Sequence, residues 1–265
     1  MITENTTKVA DYVAGGYFVT IYANRDQFCS FIDGTQLASA KFLPTRFLSA
    51  SKEASHRIPD DGAMPYDKTD AERQQSEVLR AGGNLETVRR IAKWVDAHWK
   101  SRELEFMDLF TSVGLAREFL HAFFPQNHDL ALIGVALHKD KINEFLEAGK
   151  EDNRAHIGMP TGKPWEEGDD GYGVYNTILR KKPLEPGGEV LGFELLGYSY
   201  GDFDSWLLHD LPNECFQQLG IRPNEFGLLG TIKEANRCAA YVAGTPTKVE
   251  PGWWAPWLIV KYLLT

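Results

Sequence analysis

The ten-residue stretch Gly201–Asp210, with the sequence GDFDSWLLHD, places three carboxylates, a serine and a histidine close together. Ser205 and His209 are four residues apart, so a helix would bring both side chains to one face. A hydroxyl beside an imidazole is the pair that nucleophilic catalysis needs. This interpretation predicts a small-molecule hydrolase or transferase that uses Asp202 and Asp204 together with that pair. Ser205 lies in the sequence DFDSW and not in a GxSxG motif, and no sequence signal supplies the third, orienting residue.

A structural interpretation of the same stretch accounts for more of its residues, and we favour it. Asp204 is a good helix N-cap, because its carboxylate can accept a hydrogen bond from a free N–H group in the first turn. Phe203 and Leu208 then have the spacing of a hydrophobic staple. Asp202 would lie near the positive end of the helix dipole. The pattern therefore predicts a helix that begins after Asp204, with Trp206 pointing inward or towards a partner.

Motifs that bind a metal ion or the phosphates of a nucleotide are missing from the sequence. There is no CxxC, HExxH, GxxxxGK[ST] or GxGxxG motif, and a calcium-loop pattern that starts at Asp202 fails at Leu207, where glycine is required. The three cysteines, Cys29, Cys215 and Cys238, stand in apolar settings that favour buried thiols. We therefore expect no metal ion, no cofactor and no catalysis.

The overall composition restricts the function classes further. The chain has 265 residues and a formal net charge of -9. An acidic protein lacks the basic footprint of a nucleic-acid binder. No apolar run reaches the roughly 18 residues of a membrane span, and the N-terminus lacks the pattern of a secretory signal. The sequence predicts a cytoplasmic protein that binds neither nucleic acid nor membrane, and it leaves the oligomeric state open.

Strand and helix periods alternate along the chain. Apolar strand-like runs at Tyr17–Ala23, Asp129–His138 and Glu189–Tyr200 are each followed by a polar turn and an amphipathic segment. This alternation predicts an α+β fold in which a mixed, largely antiparallel sheet packs with helices. We expect a single domain over residues 1–265, and the alternative is a division into two lobes within 150–188.

Capping residues predict where several elements begin and end. Thr231 with Glu234 has the spacing of a capping box. The predicted helix starts are Asn84, Asp140 and Thr231, the predicted helix ends are Pro125, Gly149 and Gly244, and the predicted last strand is Trp257–Leu264.

Three tryptophans stand within five positions of one another, at Trp253, Trp254 and Trp257. We expect them to form a turn that seals the core before the last strand. An exposed ridge for a partner or a platform for ligand stacking is the alternative, because tryptophan is enriched in interface hot spots.

The segment from Leu191 to Tyr262 resembles the C-terminal region of poorly characterised bacterial immunity proteins, which are encoded beside contact-dependent or secreted toxins. The matching features are Gly197, Ser205-Trp206, Leu219-Gly220, Asn224, Gly227-Leu228, Glu234-Ala235, Pro251-Gly252-Trp253 and Trp257. The resemblance implies a protein that covers the active site of a cognate toxin. An acidic protein suits a toxin with a basic nuclease or nucleotide-binding cleft.

These observations predict an immunity protein that neutralises a cognate toxin with a basic surface. The expected contact surface combines a loop rich in acids, glycine and proline with the acids of the GDFDSWLLHD stretch. Its residues are Glu166, Glu167, Asp169, Asp170, Asp202, Asp204 and Trp206.

Overall fold

The computed structural model describes residues 8–21, 83–100, 104–105, 109–126, 130–156, 177–199, 202–206, 211–224, 226–244 and 252–264. Within these ranges, five helices are bounded by Leu85–Lys100 (α1), Val113–Phe123 (α2), Ile142–His156 (α3), Leu211–Leu219 (α4) and Ile232–Ala243 (α5). Seven strands are bounded by Tyr12–Ile21 (β1), Leu104–Glu105 (β2), Leu109–Phe110 (β3), Leu130–His138 (β4), Glu189–Ser199 (β5), Asp202–Ser205 (β6) and Trp253–Tyr262 (β7). Short 3-10 helices precede β1 and α3, at Val9–Asp11 and Lys139–Lys141.

The seven strands form one sheet in the order β2-β3-β1-β4-β7-β5-β6. Every pairing among these strands is antiparallel. The α+β class and the antiparallel character of the sheet are therefore confirmed. The C-terminal strand β7 lies between β4 and β5, so the sheet joins strands from both sides of the 150–188 segment.

Apolar residues are buried on both faces of the sheet. In β4, Leu132 belongs to the cluster on one face and the next residue, Ile133, to the cluster on the other. Helices α1, α2, α4 and α5 contribute to the first cluster, and α3 contributes Ile142 and Phe145 to the second. A strand covered on both faces has no polar side, which explains why β4 is a nearly continuous apolar run.

The predicted caps at both Asn84 and Thr231 are confirmed. The Asn84 Oδ1 accepts a hydrogen bond from the Thr87 N–H at 2.9 Å, and the Thr87 Oγ1 accepts one from the Asn84 N–H at 3.1 Å. Thr231 and Glu234 form the full capping box, and α5 ends at Gly244 as predicted. The helix expected before Pro125 is α2. These limits depend on residues three or four positions apart, which is why the local sequence predicts them.

The predicted limits of α3 are wrong at both ends. The chain enters through the 3-10 turn, whose cap is His138 rather than Asp140: the His138 ring nitrogen accepts from the Asp140 N–H at 3.3 Å. The helix continues past Gly149 to His156. Gly149 is a buried glycine inside this helix, a position at which glycine costs about 0.5–1 kcal/mol relative to alanine.

The last strand begins four residues earlier than predicted, at Trp253, so the tryptophans lie in the strand and not in a turn before it. Trp257 is fully buried and its ring meets Phe145 edge to face, with centroids 5.4 Å apart. Trp253 and Trp254 are half-buried, which fits the core interpretation better than an exposed ridge. Pro256 is tolerated because β4 pairs with β7 only from Trp257 onward, which leaves one side of β7 without a β4 partner at the proline.

A group of two buried tyrosines and a half-buried glutamate connects β1, β7 and the start of α2. The Glu185 N–H donates to the Tyr17 hydroxyl at 3.0 Å, and the Tyr262 hydroxyl donates to the Glu185 carbonyl at 2.6 Å. The Glu185 Oε1 accepts from the Val113 N–H at 2.8 Å. This carboxylate therefore satisfies a free N–H group at the positive end of α2.

We expect the protein to lose stability as the pH rises from 10 to 12. Burial raises the pKa of Tyr12 to about 12, with the Asp11 charge adding to the shift, and burial likewise raises the pKa of Tyr17 to about 12. In the unfolded chain both groups ionise near pH 10, so above that pH the unfolded state binds fewer protons than the folded state. The stability that the two protonated tyrosines contribute is complete below pH 10 and is lost towards pH 12. Urea unfolding at pH 9, 10 and 11 measures it.

Tyr12→Phe removes one of these hydroxyls and serves as the comparison. Its stability should fall less steeply with pH than that of the wild type, since lysines and the other tyrosines titrate alike in both proteins. Parallel curves for the two proteins would contradict the assignment.

Candidate functional site

Asp202 and Asp204 lie in the edge strand β6, and the predicted helix start at Asp204 is wrong. Strand β6 pairs antiparallel with β5, with Ser199 opposite Asp202 and Gly197 opposite Asp204. Polar and aromatic residues alternate in this segment with the period of a strand, and only two residues separate it from β5, the spacing of a tight hairpin. The local sequence does not show whether this segment pairs with β5 or caps a helix. In the structure it pairs with β5 and is therefore a strand.

Trp206 does not belong to a contact surface, so this part of the predicted site is wrong. Its side chain is fully buried and belongs to the same core cluster as Leu211 and Cys215. Trp206 directly follows an edge strand and still enters the core, because burial of an aromatic side chain is strongly favourable.

The structure does not contain the helix start at Asp204 on which the catalytic interpretation depends. It required Ser205 and His209 on one helix face, but Ser205 is the last residue of a strand, and His209 lies outside the described residues. The acidic loop residues Glu166, Glu167, Asp169 and Asp170 also lie outside them, so their place in a contact surface stays a prediction.

The residues of the resemblance act as fold determinants wherever the structure describes their side chains. A Cβ atom at Gly197 would lie 2.5 Å from the Trp254 ring, so only glycine lets that ring cover β5. The Asn224 side chain donates to the Leu191 carbonyl at 2.8 Å and accepts from the Phe226 N–H at 2.9 Å. Gly197 and Asn224 therefore contribute to the part of the sheet around β5 and β7.

No protein-family model, curated protein or solved structure matches this chain. The resemblance to immunity proteins therefore stays a prediction from the residues named above.

Strand β6 is a locally acidic segment of a chain whose formal net charge is -9. Its four residues, Asp202–Ser205, include two acids and no base.

Two buried thiols face each other between α4 and α5. Cys215 and Cys238 are both free and fully inaccessible, as the sequence predicted for them, while Cys29 is outside the described residues. Hydrogen bonding between the two sulfurs raises the pKa of Cys215 and lowers the pKa of Cys238. Their position inside the apolar core makes them packing residues.

Neither a metal site nor a membrane span occurs in the described ranges. These ranges hold no group of three or more His, Cys, Asp or Glu side chains that could bind a metal ion. Within the same ranges, no helix has both the length and the apolar character needed to cross a membrane.

Sequence reasoning missed a small basic depression beside β1. Its lining residues are Ala14, Gly16, Thr111, Thr177, Arg180 and Lys182. They come from three distant parts of the chain, and the only local signal is the run Arg180-Lys181-Lys182.

Proposed function

We propose that this protein binds and neutralises a cognate bacterial toxin through the β6 edge of its sheet. The observation that carries the proposal is the position of Asp202 and Asp204 in the strand that ends the sheet order. In the described part of the chain, β6 pairs only with β5. An edge strand presents backbone N–H and C=O groups to which a partner can add a strand.

The chemistry of this edge favours a basic partner. Two acids and no base among its four residues make β6 locally negative. Opposite charge across an interface speeds association and sets the register of the partners more than it adds affinity. The acids Glu166, Glu167, Asp169 and Asp170 extend this surface in the proposal, and Trp206 is no longer part of it.

The resemblance supports a toxin as the partner. The segment that resembles bacterial immunity proteins contains β5, β6, α4, α5 and β7, and therefore includes the edge in question. Such proteins act by covering the active site of a toxin, and a basic nuclease or nucleotide-binding cleft is the surface that an acidic edge complements.

Co-expression with the toxin encoded beside this protein tests the proposal. Cells that produce the toxin alone should stop growing, whereas cells that produce both proteins should grow and yield a complex on size-exclusion chromatography. Because charge steers the encounter, the association rate should fall as the salt concentration rises. Growth arrest in the presence of both folded proteins, with no complex, would contradict the proposal.

A further inference from the structure

Helices α4 and α5 pack against each other, and side chains bridge them at two places. The Tyr241 hydroxyl donates a hydrogen bond to the Glu214 carboxylate at 3.4 Å. The Arg237 guanidinium donates one to the Leu219 carbonyl at 3.5 Å. These two contacts fix the position of α4 relative to α5.

Cys215 on α4 and Cys238 on α5 meet within this interface. Along its own helix, each cysteine lies between the two residues that make the bridging contacts. Both side chains have no accessible surface and belong to the same core cluster. Their sulfurs are within hydrogen-bonding distance of each other. Since 22 residues separate them in the sequence, the fold itself brings the two thiols together.

We propose that Cys215 and Cys238 are a redox-sensitive pair, which a small peroxide converts into a disulfide that clamps α4 to α5. In the reduced protein the two thiols pack in the core. A disulfide requires the sulfurs to approach to about 2.05 Å, and rotation about the side-chain torsions of two unbranched residues already in contact provides that movement. The pair is separate from the β6 edge and stands independently of toxin binding.

The oxidation removes two electrons and two protons from the pair, and hydrogen peroxide takes up both and becomes two molecules of water. In the first step the Cys238 thiolate attacks one peroxide oxygen, the O–O bond breaks, and the released hydroxide takes the thiol proton to give water. This step leaves a sulfenic acid on Cys238. In the second step the Cys215 sulfur attacks the sulfenic sulfur, the S–S bond forms, and the hydroxyl leaves as water with the Cys215 proton.

The order of these two steps follows from the hydrogen bond between the thiols. That bond lowers the pKa of Cys238, and the positive charge of Arg237 adds to the effect, whereas burial opposes it. The same hydrogen bond, together with burial, raises the pKa of Cys215. Because the thiolate is the nucleophile, Cys238 reacts with the peroxide and Cys215 closes the disulfide.

Burial determines which oxidants reach the pair and what the disulfide does. Neither sulfur is exposed, so an oxidant reaches them only when the helices open locally, which favours a molecule as small as hydrogen peroxide. The disulfide restricts the unfolded chain over the 22 intervening residues and therefore stabilises the folded state. Trp206 and Leu211 belong to the same cluster, so the clamp also holds the chain that follows β6.

Mass spectrometry of the folded Cys29→Ser protein after treatment with hydrogen peroxide tests the pair, because this variant keeps only Cys215 and Cys238. The remaining thiols are alkylated in denaturant before digestion with trypsin. We expect a peptide that contains Cys215 joined to one that contains Cys238, and dithiothreitol should separate them. The Tm of the treated protein should lie about 5 °C above that of the reduced protein.

Cys29→Ser with Cys238→Ala receives the same treatment and controls for the oxidation of methionines. It should give no joined peptides and no rise in Tm. Two alkylated thiols, or sulfinic acids in place of the disulfide, in the treated Cys29→Ser protein would overturn the proposal. A disulfide that leaves the Tm unchanged or lower would overturn it as well.

Discussion

Trp206→Ala is expected to lower the free energy of unfolding by about 3–5 kcal/mol, the usual cost of removing a fully buried tryptophan side chain. Trp206 has no accessible surface and belongs to the apolar cluster that contains Leu211 and Cys215. The alanine leaves a cavity under the helices that the surrounding side chains can fill only in part. Urea unfolding followed by circular dichroism measures the loss.

Trp206→Phe separates the volume of the ring from its polar group. The indole Nε1 of Trp206 has no hydrogen-bond partner in the described part of the chain. Phenylalanine removes that buried donor and keeps most of the apolar contact, so it should cost only about 1–2 kcal/mol. A Trp206→Ala protein as stable as the wild type would mean that the side chain is not in the core, and would restore Trp206 as a contact residue.

Gly192→Ala is expected to destabilise the protein by about 3 kcal/mol or more, since backbone strain and steric clash add. Gly192 has a φ of 142° at the point where the register of β5 and β7 shifts. A Cβ atom there would lie 2.7 Å from the Leu229 carbonyl oxygen and 2.9 Å from the Leu228 Cβ. That carbonyl accepts the Phe193 N–H at 2.8 Å, so it cannot move away without losing the bridge to β5.

Gly187→Ala and Gly220→Ala are the matched controls for this substitution. Both glycines have a positive φ, but no atom lies within 4 Å of an added Cβ. They should lose only about 1 kcal/mol each, from the backbone conformation alone. If all three variants lose the same stability in urea unfolding, the close approach of Leu229 to β5 is not important.

Local sequence was sufficient for the elements whose limits depend on near neighbours. The capping box at Thr231 and the cap at Asn84 need only residues three positions away, and the α+β class follows from alternating periods. The errors arose where distant contacts decide. Gly149 is buried inside a helix and does not end it. Pro256 is tolerated in a strand because β4 pairs with β7 only from Trp257 onward.

The same distinction between near neighbours and distant contacts applies to the candidate sites. The period of DFDS suits a strand, but the choice between a strand and a helix start depends on β5. The sequence did not show whether the Trp206 side chain is buried, because tryptophan is common both in protein cores and in interfaces. The basic depression could not be predicted, since it joins residues 14–16, 111 and 177–182.

The most direct test of the proposed function is the affinity of the purified protein for the purified toxin, measured by isothermal titration calorimetry with two charge variants. Asp202→Asn with Asp204→Asn removes two charges from β6, and Glu86→Gln with Glu144→Gln removes two from exposed ion pairs on α1 and α3, where such pairs contribute little to stability. We expect the β6 variant to raise Kd by about tenfold, or roughly 1.4 kcal/mol, mainly through slower association, and the control to bind like the wild type. Equal affinities for the β6 variant and the control would contradict a toxin interface at the β6 edge.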